Sequence, residues 1–179
     1  MLKQEANVTL EKIDYLKKVL RGKYGWELWA KVYRRELFDE PMYIPCHLRI
    51  GEDATVYMQL VARSCKVKII NEALYNYIQY PSSASHQRSV TLAEETLQAA
   101  FYIDHLLKKE SFYQEIRDEI DAMYLLFYSN STRKAFLRLN HPLIYQVYQE
   151  HYSLRALKIL PLFKSIYISL SLLLRKTLS

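Results

Sequence analysis

Leu48-Arg49-Ile50-Gly51-Glu52-Asp53-Ala54-Thr55-Val56-Tyr57 is the stretch on which the reading of this chain turns. A strand-like approach meets a glycine, then two carboxylates, then the start of an apolar helical pattern. Val56 pairs with Leu60 and Tyr57 with Val61, the i, i+4 spacing of one helix face. Gly51 permits a tight bend or a close backbone approach. Asp53 then falls at the helix start, where free N–H groups and the helix dipole favour an ionised carboxylate. Two roles fit that position. One is a plain helix cap. The other is a general base, which needs an ionised group presented on a rigid element. The ten residues alone leave both open.

The flanks add specificity. Upstream stands Trp29-Ala30-Lys31-Val32-Tyr33-Arg34-Arg35-Glu36-Leu37-Phe38. Downstream stands Lys68-Ile69-Ile70-Asn71-Glu72-Ala73-Leu74-Tyr75-Asn76-Tyr77, followed by Ser83-Ala84-Ser85-His86. This order resembles the C-terminal half of glycosyltransferase family 2, the inverting A-type nucleotide-sugar transferases, over residues 20–90. In that family a W-x-K-x-Y-x-R-x-x-F segment precedes an E-D pair, and a strand ending in aromatic residues and a Ser-rich loop come next. The resemblance implies that Asp53 is the catalytic base and that Glu52 orients the turn or binds the acceptor. It places Trp29 beside the sugar and Lys31 near the diphosphate. It makes the loop with Ser83, Ser85, His86 and Arg88 a lid over the donor phosphates, with His86 the first choice of contact. Read without the resemblance, Trp29 is a core-edge indole and the loop is an ordinary polar one.

Composition bounds the rest. The chain has 179 residues, 50% hydrophobic and 25% charged, as expected of one globular domain with a real core. Cys46 and Cys65 are its two cysteines, too few for a disulfide framework, which points to a reducing compartment. Cys46-His47 has no partners at metal-ligand spacing, which argues against a zinc site. Three glycines, Gly22, Gly25 and Gly51, leave no Gly-rich loop of the dinucleotide or P-loop kind. No D-x-D triplet occurs either, although the family uses one to hold a metal and the donor diphosphate. The chain is therefore expected to be the C-terminal portion of a longer enzyme. Its cofactor would be a divalent metal, Mg or Mn, held mainly by the missing N-terminal half. The net charge is +6. After Glu150 there is no acidic residue, while Arg155, Lys158, Lys164, Arg175 and Lys176 follow. These basic residues are not interleaved with a stacking platform, so nucleic acid is not an expected partner.

In chain order, residues 9–20 read as an amphipathic helix with Thr9 as N-cap and no capping box, ended by Gly22 and Gly25. Residues 29–33 read as a strand or short extended segment, and residues 41–49 as a loop interrupted by Pro41 and Pro45, suited to line an acceptor cleft. Residues 53–64 form the acid-bearing helix; 66–70 and 73–80 are extended runs. Thr91 with Glu94 makes a capping box for a helix to Lys109, on which His105 is a surface or satisfied core histidine. A second helix spans 111–128, broken at Asn130-Ser131 and continued over 132–139. Asn140-His141-Pro142 is a turn, and Pro142 opens a helix to about Leu154. Many of the 16 tyrosines fall on these helices, suiting half-buried positions with the ring inside and the hydroxyl wet, or a membrane interface. Residues 155–179 read as a basic, amphipathic, interfacial helix, with docking on the fold as the alternative.

The fold class expected is mainly α with a small β element. Residues 1–90 would be the acceptor-side part of the catalytic domain and 91–179 a helical extension. The function implied by the resemblance is transfer of a sugar from a nucleotide-sugar donor to a hydroxyl on a glycan or lipid-linked acceptor, in bacterial surface polysaccharide synthesis. The location implied is cytoplasmic, peripheral on the inner face of the membrane. The rival class is a non-enzymatic helical interaction or membrane-docking module.

Overall fold

Strand β1 (Thr9–Glu11) pairs antiparallel with strand β2 (Lys66–Lys68), Leu10 opposite Val67, to make one two-stranded sheet. These and the following elements belong to a computed structural model that describes residues 7–78, 80, 89–135 and 141–176. The ladder displaces the expected helix start. Helix α1 runs over Lys12–Leu20, three residues beyond Thr9, because the backbone of residues 9–11 is engaged in strand pairing. Its first N–H, that of Lys12, donates to the Cys65 carbonyl at 3.0 Å. At the other end Gly22 adopts φ 71°. Its N–H donates to Val19 O at 2.8 Å and that of Lys23 to Lys18 O at 2.9 Å. This double closure needs a left-handed residue where Gly22 stands.

Residues 29–33 carry no strand. The segment runs irregularly into a 3-10 turn, Arg35–Phe38. Trp26 packs on Phe127 with ring centroids 4.5 Å apart. Helix α2 (Glu52–Arg63) begins one residue before Asp53. Just past β2 the Ile69 N–H donates to Val8 O at 2.8 Å, and the described residues of the second extended run, 73–78 and 80, form no strand. Helix α3 (Val90–Leu107) is capped by Ser89, whose hydroxyl accepts from the Leu92 N–H at 3.1 Å. The expected cap, Thr91, therefore lies inside the first turn, and no capping box forms.

A 3-10 turn, Tyr113–Ile116, leads into helix α4 (Arg117–Ala135), which runs unbroken through Asn130-Ser131. Every residue from Glu119 to Ser129 on it is buried. A helix buried all round is held by its neighbours, which override local preferences for a turn. One hydroxyl turns back on the helix: Thr132 Oγ1 donates to Tyr128 O at 3.0 Å. Helix α5 (Pro142–His151) starts at proline as expected and stops three residues before Leu154. The residues from 155 onward do not form one helix. Pro161 separates α6 (Leu154–Ile159) from α7 (Leu162–Lys176).

The described residues are thus mainly helical with one small sheet. Helix α4 is the central element and packs against α1, α3, α5, α6 and α7, while α2 packs on α3 and α1. Leu16, Leu20, Met58, Leu97, Ile103, Ile116, Ile120 and Met123 are fully enclosed in one core, each side chain contributing about 1.5–3 kcal/mol by leaving water. A polar network crosses that core. Asp104, 2% exposed, accepts from Tyr113 Oη at 2.7 Å and Tyr124 Oη at 3.1 Å and pairs with Lys108. Burial opposes its charge, but these donors outweigh burial and hold its carboxyl below the usual range. The buried tyrosines therefore bond within the protein and are not wet at the hydroxyl.

Candidate active site

Gly51 sets the geometry of the acid pair. It caps α2 with φ 98°, and a methyl group on it would lie 2.3 Å from the Cβ of Ala99 on α3. Glycine thus supplies both the left-handed bend and the close approach of two helices. Its carbonyl accepts from the Thr55 N–H at 3.0 Å and from Thr55 Oγ1 at 2.9 Å. The residues before it are clamped rather than paired in a strand. Glu95 on α3 accepts from the Arg49 backbone N–H at 2.9 Å and from its guanidinium at 3.0 and 3.1 Å. Burial works against the Glu95 charge, yet the Arg49 bonds and charge and the Ile50 N–H prevail and hold its carboxyl low. The turn bearing the acids is therefore fixed to α3 by an ion pair on one side and a glycine contact on the other.

Glu52 and Asp53 occupy the first turn of α2, both half-buried. They differ in environment. Burial, the charge of Asp53 and that of Glu95 raise the Glu52 carboxyl, opposed by backbone N–H groups of the helix start. Its Oε2 is enclosed and has no hydrogen-bond partner among the described residues. The charge of Asp53 acts also on Lys31 and Tyr33. Lys31 bonds the Glu27 carbonyl at 2.5 Å and lies 4.7 Å above the Tyr57 ring. Burial lowers the proton affinity of its ammonium, with Glu27 and Asp53 opposing. Beneath it Tyr57 and Tyr15 share a hydroxyl contact of 2.5 Å, and Tyr33 Oη donates to Leu28 O at 3.1 Å. Burial, with Tyr15, Asp53 and Glu27 nearby, pushes the Tyr33 phenol up to about 12.

Trp29 stands two residues from Lys31 and stacks on Tyr77 and Tyr75, with ring centroids 4.5 and 5.4 Å away and interplanar angles of 5° and 18°. All three rings are partly exposed. Trp29 is thus a surface aromatic rather than a core indole. The loop expected to line an acceptor cleft is fastened along α2. Gln59 bonds both backbone groups of Tyr43, and Arg63 donates to the carbonyls of Leu37, Glu40 and Pro41. The proposed lid residues Ser83, Ser85, His86 and Arg88 lie outside the described residues. His105 is exposed. Cys46 and Cys65 are free, and His47 bonds Tyr102 Oη at 3.1 Å.

The structure therefore gathers Glu52, Asp53 and Lys31 around the start of α2, with the Trp29 stack alongside in sequence. Reading the sequence missed Glu27, Tyr15, Tyr33 and Tyr57 below Lys31, and the Arg49–Glu95 clamp. Only the i, i+4 spacing of Glu27 and Lys31 carried a local signal. Among the described residues no group of three or more His, Cys, Asp or Glu is placed to hold a metal ion.

One curated protein of Bacillus subtilis (strain 168), named "Uncharacterized glycosyltransferase EpsJ", is 29% identical to this chain over 101 residues. The match covers 54% of this chain and 29% of that protein's length. No protein-family model matches the chain. No solved structure matches it either.

Proposed function

We propose that this chain is the acceptor-side part of an inverting, nucleotide-sugar-dependent glycosyltransferase of family 2, with Asp53 as its base. The observation that carries the reading is Asp53 in the first turn of α2, on a bend pinned to α3 and beside a half-buried lysine. The similarity to a protein named a glycosyltransferase supports the reaction class. In the proposed step the acceptor hydroxyl gives its proton to the Asp53 carboxylate. Its oxygen attacks the anomeric carbon from the face opposite the diphosphate. The bond from that carbon to the diphosphate oxygen breaks, the electron pair leaves with the diphosphate, and the anomeric configuration inverts. Two environments suit two roles. Glu52, whose carboxyl is raised, retains a proton more readily and is fitted to donate a hydrogen bond to the acceptor. Asp53 stands in the first turn of α2 with its charge acting on Lys31, and the part of general base is assigned to it.

The Trp29, Tyr75 and Tyr77 rings offer an apolar face of the kind against which a sugar ring packs. Lys31, committed to Glu27 and Tyr57, serves in this scheme by its field on Asp53 and the departing diphosphate rather than as a free phosphate donor. The described residues do not by themselves fit a divalent metal. Mg or Mn, and the grip on the nucleotide, are assigned to another part of the enzyme, in keeping with a relative far longer than the matched stretch. The acceptor would be a glycan or lipid-linked hydroxyl of bacterial surface polysaccharide synthesis, met at the inner face of the membrane. Asp53→Asn in the whole enzyme should lower turnover at least about a hundredfold, the scale of a lost general base, with the melting curve unchanged. Sugar transfer near the wild-type rate would leave Asp53 as a helix-start residue only.

A further inference from the structure

Helix α7 is two-faced in an unusual sense. One flank docks: Ile168 is fully buried, Ser171 Oγ lies 3.0 Å from Tyr128 Oη, and Ser165 Oγ donates to Leu157 O at 2.7 Å. The opposite flank is apolar and uncovered. Leu162 is 76% exposed, Phe163 68%, Ile166 50% and Leu170 54%. Leu162, Ile166 and Leu170 follow each other at i, i+4 and make one continuous stripe. Docking and an outward apolar face therefore coexist on one helix and do not compete for one surface. On the preceding α6, Leu154, Arg155 and Lys158 are exposed.

We propose that the outward face of α7, with the basic residues of α6, is a contact surface for an anionic lipid leaflet. Contiguous apolar side chains left in water mark a docking surface. Its charge selects the occupant. Arg155 and Lys158 stand exposed on α6, and no acid follows Glu150 in the sequence. Two copies meeting through this face would oppose like charges. A leaflet of anionic headgroups attracts the same residues while its acyl boundary takes Leu162, Phe163, Ile166 and Leu170. In this proposal α7 lies along the leaflet surface; no helix among the described residues is long and apolar enough to cross a membrane. Its docked flank holds the rest of the fold against that surface. This surface is independent of the chemistry assigned to Asp53.

Flotation of the intact chain with phosphatidylcholine vesicles, with and without phosphatidylglycerol, at low and high salt, tests it. The wild-type chain should float with the anionic vesicles and be released by salt. A variant carrying Leu162→Ser, Phe163→Ser, Ile166→Ser and Leu170→Ser should bind at least about tenfold more weakly with an unchanged circular dichroism spectrum. Should that variant misfold, Arg155→Glu with Lys158→Glu on exposed α6 positions should weaken binding to anionic vesicles by a similar factor. Absence of flotation by the wild type overturns the proposal, as does equal binding to neutral and anionic vesicles. Light scattering that shows a dimer dissolved by the four serines, with no vesicle binding, assigns the face to a second copy and also overturns it.

Discussion

At the scale of single residues, Gly51 carries more of the site than either acid. A side chain there is opposed twice, by φ 98° and by the Ala99 methyl 2.3 Å away. Gly51→Ala should cost about 2–4 kcal/mol in urea unfolding, from left-handed strain and overpacking together. Adding Ala99→Gly should recover the overpacking part and leave the strain. Full recovery would mean that the backbone there tolerates alanine. Glu52 makes a pH prediction. Its folded-state carboxyl binds a proton more tightly than the ordinary value of 4.5 implies, because burial disfavours the charge. The wild type therefore loses stability as pH rises from about that value through the raised one. Glu52→Gln removes the loss. It should be more stable than wild type at neutral pH and converge with it in acid, read from denaturant midpoints at both pH values. A neutral-pH midpoint below wild type would show that the charged form is favoured after all.

At the scale of elements, α3 and α4 show how neighbours decide where helices start and stop. Ser89→Ala should destabilise the fold by about 1 kcal/mol through loss of the bond to Leu92 N–H, whereas Thr91→Ala should be close to neutral. The reverse ranking in thermal melts would restore the cap to Thr91. In α4 the polar run Ser129-Asn130-Ser131-Thr132 reads locally as a break. Helix packing keeps three of the four buried, and Thr132 satisfies itself on Tyr128 and Ser129 carbonyls. An internal acceptor is available at each turn, so continuing the helix leaves Thr132 paired.

At the scale of the molecule, one core joins residues of both ends. Leu16 of α1 and Met58 of α2 belong to the same cluster as Tyr124 of α4, Val147 of α5 and Ile168 of α7. Cooperative unfolding follows from such sharing. Tryptophan emission, reporting from Trp26 and Trp29, and far-ultraviolet dichroism, dominated by the later helices, should give coincident urea transitions. Separated midpoints would show that the two ends fold independently.

What the sequence determined by itself was local. The periodic faces of α1, α2 and α3, the glycine bends at Gly22 and Gly51, and the proline start of α5 are written in spacings of three or four residues and in backbone allowances. Neighbouring residues supply those forces, so they are legible without a fold. The glycine turn that carries the acid pair was legible in the same way, whereas residues 29–33, read as a strand or short extended segment, run irregularly. Tertiary structure alone decided the rest. Thr9–Glu11 became a strand because its partner lies at Lys66–Lys68. Glu95 fixed the acid-bearing turn from across α3, and the tyrosine cluster under Lys31 assembled from three separate stretches. Helix α7 showed both a docked and an open flank only once Tyr128 was in place to receive one of them. Each of these depends on groups far apart in the chain meeting across the core, and the free energy of that meeting has no trace in a short window of sequence.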